Sequence, residues 1–416
     1  MSKLTKGLVF GLTVLLVVAL AACAAPPEEE KVELPEYNIA FFGDFHMVYA
    51  ELVTTCTMPA CIAAIDLWND EIGPEIGVKL IPKIYDVGYD FAEAGAVYDR
   101  VVATEKPIGM VSVISPSLMA NLSKFKEDEV PMCQWFGYGA MHLDGGWAFL
   151  PGRAYAQINA SFINWWVAEE WTEARKPRIA YACFKGAYTD DLISLMEPWF
   201  AQNPDVEYLG CYYHEATAVD LAGYVRDLMK DEPDIILTGL TSVSKPAYYS
   251  ALKELGYLGK VPNVFPCFGG TDDASRSLGP EFVEGDYDMD TTNAAPGTVM
   301  HRAHTTYASR HYGRAFWGPT APQYAAGTCL ILAVVVRAVE EVGAANLTGR
   351  AVYEEIEGAT FSSEEMFGCT GTIKLDPKDR LSGATEAFFS RFINGKHQLL
   401  GSTPVDESDV LKGWLK

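Results

Sequence analysis

The residues best suited to meet a ligand stand directly after apolar runs, where a strand ends and a loop begins. Asp44, Phe45 and His46, with Tyr49 close behind, follow the run 37–42; Ser115, Pro116 and Ser117 follow 108–114; Gln134, Trp135, Phe136, Gly137 and Tyr138 follow Met132 and Cys133. Further along, Gly186 to Thr189, including Tyr188, follow 178–184, Thr241 and Ser242 follow 234–240, and Gly269, Gly270, Thr271 and Asp272 follow 264–268. A hydroxyl that opens a helix, as at Ser115, works with the unpaired N–H groups there to hold an anion such as a carboxylate. The aromatic members Phe45, Tyr49, Trp135, Phe136, Tyr138 and Tyr188, with Trp317 further on, suit a larger apolar or aromatic acid. They suit equally a wall that stacks on a cation. Trp135 and Phe136 also read as core aromatics.

Catalytic signatures are missing. The chain has no HExxH, GxSxG, GxxxxGK[ST] or CxxC. His301, His304 and His311 recur at helical spacing and are a conceivable metal face. Arg302 and Arg310 interleave with them, which favours an exposed polar helix face. Asp272-Asp273 and Asp286, Asp288, Asp290 lack the Gly and Glu positions of a calcium loop and read as solvated surface. Neither a cofactor nor catalysis is expected. Ser115 has no evident neighbouring base in the sequence.

The elements that must position these loops alternate regularly. Strands are predicted over 37–42, 78–85, 108–114 and 131–136, with helices over 59–72, 91–103 and 116–125 between them. After Gly145-Gly146 the rhythm restarts: helices over 162–171, 190–202, 221–230 and 246–255 and strands over 178–184, 206–212, 234–240 and 264–268. Such alternation implies βαβ units and parallel sheets covered on both faces. Two open sheets of this kind expose their ligand edges at the carboxyl ends of their strands. Facing those edges across a cleft makes a clamshell. Residues 298–416 supply helices over 299–312, 322–342 and 349–356 and strands over 371–376 and 388–393. They are too few for a third α/β domain and are expected to complete the first two lobes.

The expected organisation is therefore α/β, two doubly wound parallel-sheet lobes joined by a multi-strand hinge. Lobe 1 takes 37–155 and 296–358; lobe 2 takes 156–295 and 359–416. Residues 1–22 read as a signal peptide, with Lys3 and Lys6 before an apolar stretch too short to span a bilayer comfortably. Leu20-Ala21-Ala22-Cys23 looks like a bacterial lipobox, in which Cys23 is diacylated and becomes the first mature residue. The alternative is an ordinary secretory signal with a chance cysteine. Residues 23–36, acidic and proline-containing, read as a flexible tether. No second apolar stretch of transmembrane length is expected, so the membrane is met only through Cys23.

The 416 residues carry 32 Lys plus Arg against 55 Asp plus Glu, a formal charge of −23. Loss of residues 1–22, with Lys3 and Lys6, takes it to −25. So acidic a body is repelled by phosphate backbones and anionic lipid, which argues against a nucleic-acid partner. Eight cysteines remain beyond Cys23: Cys56, Cys61, Cys133, Cys183, Cys211, Cys267, Cys329 and Cys369. In an oxidising compartment an even number suggests disulfides, although a chain of this size folds without them. Cys183 and Cys211, on neighbouring predicted strands, are the leading pair; buried thiols are the alternative.

The lipobox, the two alternating lobes and the tail together resemble the type I periplasmic binding proteins, in particular the branched-chain amino-acid-binding family of ABC importers. The similarity runs over about 37–400. It is carried by PACIAAIDLWNDEIG, by Ile114-Ser115, by YGRAFWGPTAPQYAAGTCLILAVVVRAVEEVG and by FGCTGTIKLDPKDR. The resemblance implies that Ser115 and the backbone at Phe136, Gly137 and Tyr138 grip a ligand carboxylate, that Tyr188 covers it from the second lobe, that Phe316 or Trp317 adds an aromatic, and that Thr241 lies alongside. Where amino-acid binders of the family place a carboxylate against the ammonium group, this chain has Gly269 or Gly270, with Asp272 nearby and Asp44 as another source of charge. A buried ammonium without a counter-charge costs several kcal/mol. The resemblance further implies an extracytoplasmic monomer that passes a small-molecule ligand (an amino acid, amide or aromatic acid) to ABC permease subunits. The alternatives are a signalling receptor of the same fold, which an attached transmembrane or kinase segment would favour, and a secreted hydrolase.

Overall fold

The computed structural model describes residues 33–137, 146–266, 269–311, 315–378 and 382–415. The run of apolar residues after Pro35 forms β1 (Glu36–Gly43), whose last five residues are buried. It pairs in parallel with β2 (Lys79–Asp86) and β3 (Gly109–Ser112), and β4 (Met132–Cys133) and β5 (Ala148–Phe149) continue the sheet in the order β2-β1-β3-β4-β5. Each crossover is helical or irregular, as parallel pairing demands. The first is one long helix, α1 (Ala50–Ile76), interrupted by π turns at Val53–Thr57 and Trp68–Ile72. It is long and apolar enough to cross a membrane, yet it is largely buried against two later helices, α2 (Val299–His311) and α3 (Thr320–Val342). Ala, Cys and Ile fill its middle, so those neighbours approach closely.

The second sheet has seven strands, β6 (Arg178–Phe184), β7 (Glu207–His214), β8 (Ile235–Gly239), β9 (Asn263–Phe265), β10 (Tyr287–Asp290), β13 (Glu386–Ile393) and β14 (Lys396–Pro404), in the order β14-β13-β10-β9-β8-β6-β7. The first five are parallel and the last two antiparallel, joined by the Asn394-Gly395 turn. A small ladder of β11 (Thr360–Phe361) and β12 (Ile373–Lys374) stands apart. Pro35–Lys416 forms one compact unit. One large apolar core runs through both sheets, and a second lies under helices Ala222–Lys230 and Ser244–Glu254.

Three passages of backbone connect the two sheets and bond to one another. Thr291 Oγ1 donates to Gly152 O at 3.1 Å, Thr370 Oγ1 donates to Thr291 O at 2.7 Å, and Ala384 N donates to Pro151 O at 2.7 Å. Buried Arg153 adds its Nε to Ala384 O. Gly152 is required here because a Cβ would fall 2.3 Å from Trp135 O.

Two expectations need correcting. The seven described cysteines are free thiols, and Cys267 lies outside the described residues. Cys183 and Cys211 do lie on paired strands, but Cys183 is opposite Tyr213 and Cys211 is opposite Tyr181, so the two are offset diagonally. A disulfide needs its Cα atoms close and its Cβ vectors converging. The aspartates of 272–290 are not solvated surface; all five are buried. Asp288 and Asp290 alternate along β10 with Asp286 immediately before it, and hydrogen bonds take the place of water: Asn263 N and Tyr249 to Asp286, Thr271 N at 2.8 Å to Asp288. Their alternation with Tyr287 and Met289 hid β10 from a pattern that equates charge with exposure.

Candidate functional site

The carboxyl ends of β1, β2, β3 and β4 face the carboxyl end of β6 across a cleft, and the cavity lies there. It encloses about 570 Å³ of atom-free space with its mouth included. The first turns of α1 contribute Leu52, Val53 and Thr57, the loop before them Tyr49, and the loop after β2 Tyr89. Val113, Ile114 and Ser115 follow β3, Gln134 and Phe136 follow β4, and Tyr324 comes from the first turns of α3. Phe184 and Tyr188 close it from the second sheet, with Tyr155 at the start of helix Tyr155–Glu169 between the two. No charged side chain lines it among the described residues.

Half of these residues are aromatic, and they brace one another. Phe136 stacks on Tyr155 with centroids 6.1 Å apart, Tyr155 meets Tyr188 edge-on at 4.8 Å, and Tyr188 stacks on Phe184 at 5.7 Å. Tyr49 leans on Tyr89 at 5.3 Å. Burial, reinforced by Tyr89, Tyr324 and Asp44, pushes the Tyr49 phenol well above its ordinary range and keeps it neutral.

Five of the residues named from the sequence meet at this cavity: Tyr49, Ser115, Gln134, Phe136 and Tyr188. The others have different duties. Asp44 is buried and ties the loop that presents Tyr49: its Oδ1 accepts from His46 N and Met47 N, and its Oδ2 accepts from Tyr49 N at 2.8 Å. Phe45 N donates to Asp86, and His46 is exposed with Nδ1 2.8 Å from Asp86 Oδ2. The hydrogen bond to Asp86, and then its charge, raises the His46 pKa. Asp44, His46 and Asp86 gather within reach of one ion, although their oxygens are already bonded to backbone N–H groups. Trp135 is a core aromatic with its ring against Gly152, and Gly137 pairs its backbone with Ala154.

On the second sheet, Thr241 exchanges hydrogen bonds with Ser244 and anchors Ala216 O. Gly269 has a left-handed φ of 70° and its O accepts from the buried ammonium of Lys245 at 2.6 Å. Gly270 admits Asp288, whose Oδ1 would lie 2.3 Å from a Cβ there. Asp272 accepts from Thr320 Oγ1 at 2.7 Å and Thr320 N at 3.2 Å, so it caps α3. Gly270 N donates to the same Thr320 hydroxyl at 3.0 Å. Burial raises the Asp272 pKa. Trp317 donates to Ala294 O and packs on His301 and His304. Tyr138 and Cys23 lie outside the described residues. The three histidines do not converge: His304 is buried, its pKa lowered to about 4 by burial, and His311 pairs with Asp66.

The lining residues absent from the candidate set are those whose neighbourhood is non-local. Leu52, Val53 and Thr57 read as ordinary positions of a core helix, Tyr155 as a residue before one, and Phe184 as the end of a strand. Ile114 ends the run 108–114, one residue before the loop named from the sequence. Tyr324 shares the apolar helix 320–342, where a tyrosine beside Pro322 and Gln323 is the only local sign.

A parallel α/β chain with two sheets, three linking passages and a solute-sized cavity between strand ends defines a ligand-binding clamshell. The family model described as periplasmic binding protein matches residues 37–395, and the chain belongs to that family. Its fold resembles a substrate-binding protein of an ABC transporter from Aeropyrum pernix (TM-score 0.75, 16% identity, 92% of this chain and 99% of that one). It also resembles a branched-chain amino acid ABC transporter protein from Thermus thermophilus with bound valine (0.74, 14%, 92% and 99%). A third is a solute-binding protein of an ABC transporter from Rhodopseudomonas palustris BisB5 in complex with 3,4-dihydroxybenzoic acid (0.71, 16%, 90% and 99%). No curated protein sequence matches the chain.

Proposed function

We propose that this protein is the extracytoplasmic solute receptor of an ABC importer, holding one small organic molecule between its lobes and delivering it to permease subunits. The observation that carries this is the cavity itself, lined from both sheets at their strand ends and placed where relative movement about three bonded passages would open it. Two such structures, holding valine and 3,4-dihydroxybenzoic acid, support an amino acid or aromatic acid as the solute class, and an amide completes the proposed set. Affinity would come from desolvated hydrogen bonds and ring contacts, with closure as a population shift that the permease reads. Lobe 1 would comprise 37–155 and 296–358 and lobe 2 the remainder of the folded body, which acts as a monomer.

A thermal-shift panel of amino acids, amides and aromatic acids tests the reading, because a solute that binds only the native state raises Tm by mass action. At least one class should raise Tm and contract the molecule in X-ray scattering. No shift and no contraction across the panel, or turnover of any compound, would sink it. Diacylation of Cys23 is part of the same proposal. Globomycin should leave an unprocessed precursor in the producing cell, whereas normal processing would count against the anchor.

A further inference from the structure

Two residues that line the cavity, Gln134 and Thr57, each carry a buried polar atom without a partner among the described residues, and each such atom can be satisfied by a guest. Gln134 donates Nε2 to Phe136 O at 2.7 Å. A carbonyl oxygen only accepts, so this contact settles which end of the amide is which. Oε1 is then left as an acceptor with no donor, on a side chain only 4% exposed. Thr57 is the second case. Thr54 and Thr55, in the same helix, each return Oγ1 to a carbonyl four residues back at 2.7 Å, as helical threonines do. Thr57 Oγ1 is fully buried and makes no such bond. It stands at the end of the π turn Val53–Thr57, and turns of that kind mark functional positions in helices.

An acceptor without a donor inside a protein is costly, and the cavity that Gln134 and Thr57 line is where a donor can arrive. Gln134 Oε1 repels a carboxylate, since two acceptors would then face each other. A full ammonium satisfies it but brings a charge to a wall on which the described residues place no carboxylate. A neutral head group that both donates and accepts meets Gln134 with its N–H or O–H and leaves its oxygen to the hydroxyls of Thr57 and Ser115. The remaining surface is rings.

Resting on the receptor reading above, we propose that the cleft selects uncharged aromatic molecules with a carboxamide or hydroxyl head group, and that Gln134 and Thr57 read that head group. Four probes share one ring: benzamide and benzyl alcohol are neutral donors, benzoate is an anion and benzylammonium a cation. In calorimetry on the purified protein, a neutral probe should bind at least about tenfold more tightly than either charged one. The Gln134→Met and Thr57→Val variants, whose melting curves report whether they fold, should each weaken the neutral probe about tenfold, and Gln134→Met, which removes the acceptor that repels a carboxylate, should leave benzoate no weaker than in the parent. Equal or tighter binding of benzoate or benzylammonium, no binding of any of the four, or folded variants that bind the neutral probe like the parent would overturn the inference. Should an aliphatic amino acid or an anion instead prove to drive closure, only this inference falls. Silence across the whole solute panel removes the receptor reading itself.

Discussion

At the scale of single residues, the cleft separates side chains that meet the guest from side chains that hold the wall in place. Ser115, which lines the cavity half-buried where β3 gives way to a short helix, is proposed to be of the first kind. Ser115→Ala should weaken a bound amide or acid by about 1–3 kcal/mol, the cost of leaving a buried partner unsatisfied. Calorimetry showing equal affinity would take Ser115 out of the site. Asp44 belongs to the second kind. Its carboxylate satisfies three backbone N–H groups of the loop that ends at Tyr49. Asp44→Ala leaves those part-buried donors without their acceptor, so it should lower unfolding free energy by about 1 kcal/mol or more in urea titration. Asp44→Asn, which keeps one acceptor, should cost less. Aspartate beside histidine after a strand looks like ligand chemistry in a sequence because the same acceptor that grips a guest also ties a turn.

At the scale of elements, β10 shows how a strand can be made from carboxylates. Asp286 accepts from Asn263 and Tyr249 inside the sheet, yet burial outweighs those bonds and pushes its pKa from 3.8 up to about 7. A carboxyl with a native pKa above its unfolded one holds its proton more tightly when folded. Its contribution to stability is therefore complete below about 3.8 and is lost as pH rises towards about 7. Asp286→Asn should flatten the decline in Tm over that window. An unchanged slope would show that Asp286 is already ionised in the fold. β10 and the helix Thr271–Leu278 were illegible locally for one reason: their aspartates are paid for by partners such as His397, Lys245 and Thr320, which stand elsewhere in the chain. By contrast β6 and the helix Gly349–Ile356 fall where their patterns put them, since β6 is an apolar run buried on both faces and the helix buries Ala351, Val352 and Ile356.

At the scale of the whole molecule, Thr320 joins the two lobes. Its hydroxyl donates to Asp272 and accepts from Gly270, while the helix it opens packs on α1 and β3 of the other sheet. Thr320→Val keeps the shape and removes both bonds. If they favour the closed arrangement, the population shifts towards open forms; the expected result is a larger radius of gyration without ligand and roughly several-fold weaker solute binding. An unchanged radius and affinity would assign the pair to helix capping alone.

The sequence alone determines the local periodicities: alternating strand and helix, the buried parallel sheets they require, and the loops at their strand ends. These follow from near neighbours, because a run of apolar residues or a turn-forming pair acts over a few positions. Only the tertiary structure decides which loops converge. It brings Tyr49, Ser115, Phe136 and Tyr188 to one cavity with Thr57, Tyr89, Gln134, Tyr155 and Tyr324, and it turns Asp44 and Asp272 towards backbone and hydroxyl donors and Thr241 towards Ala216 O and Ser244 instead. The physical reason is that hydrogen-bond satisfaction in a low-dielectric interior depends on groups distant in the chain, and no spacing rule carries that information.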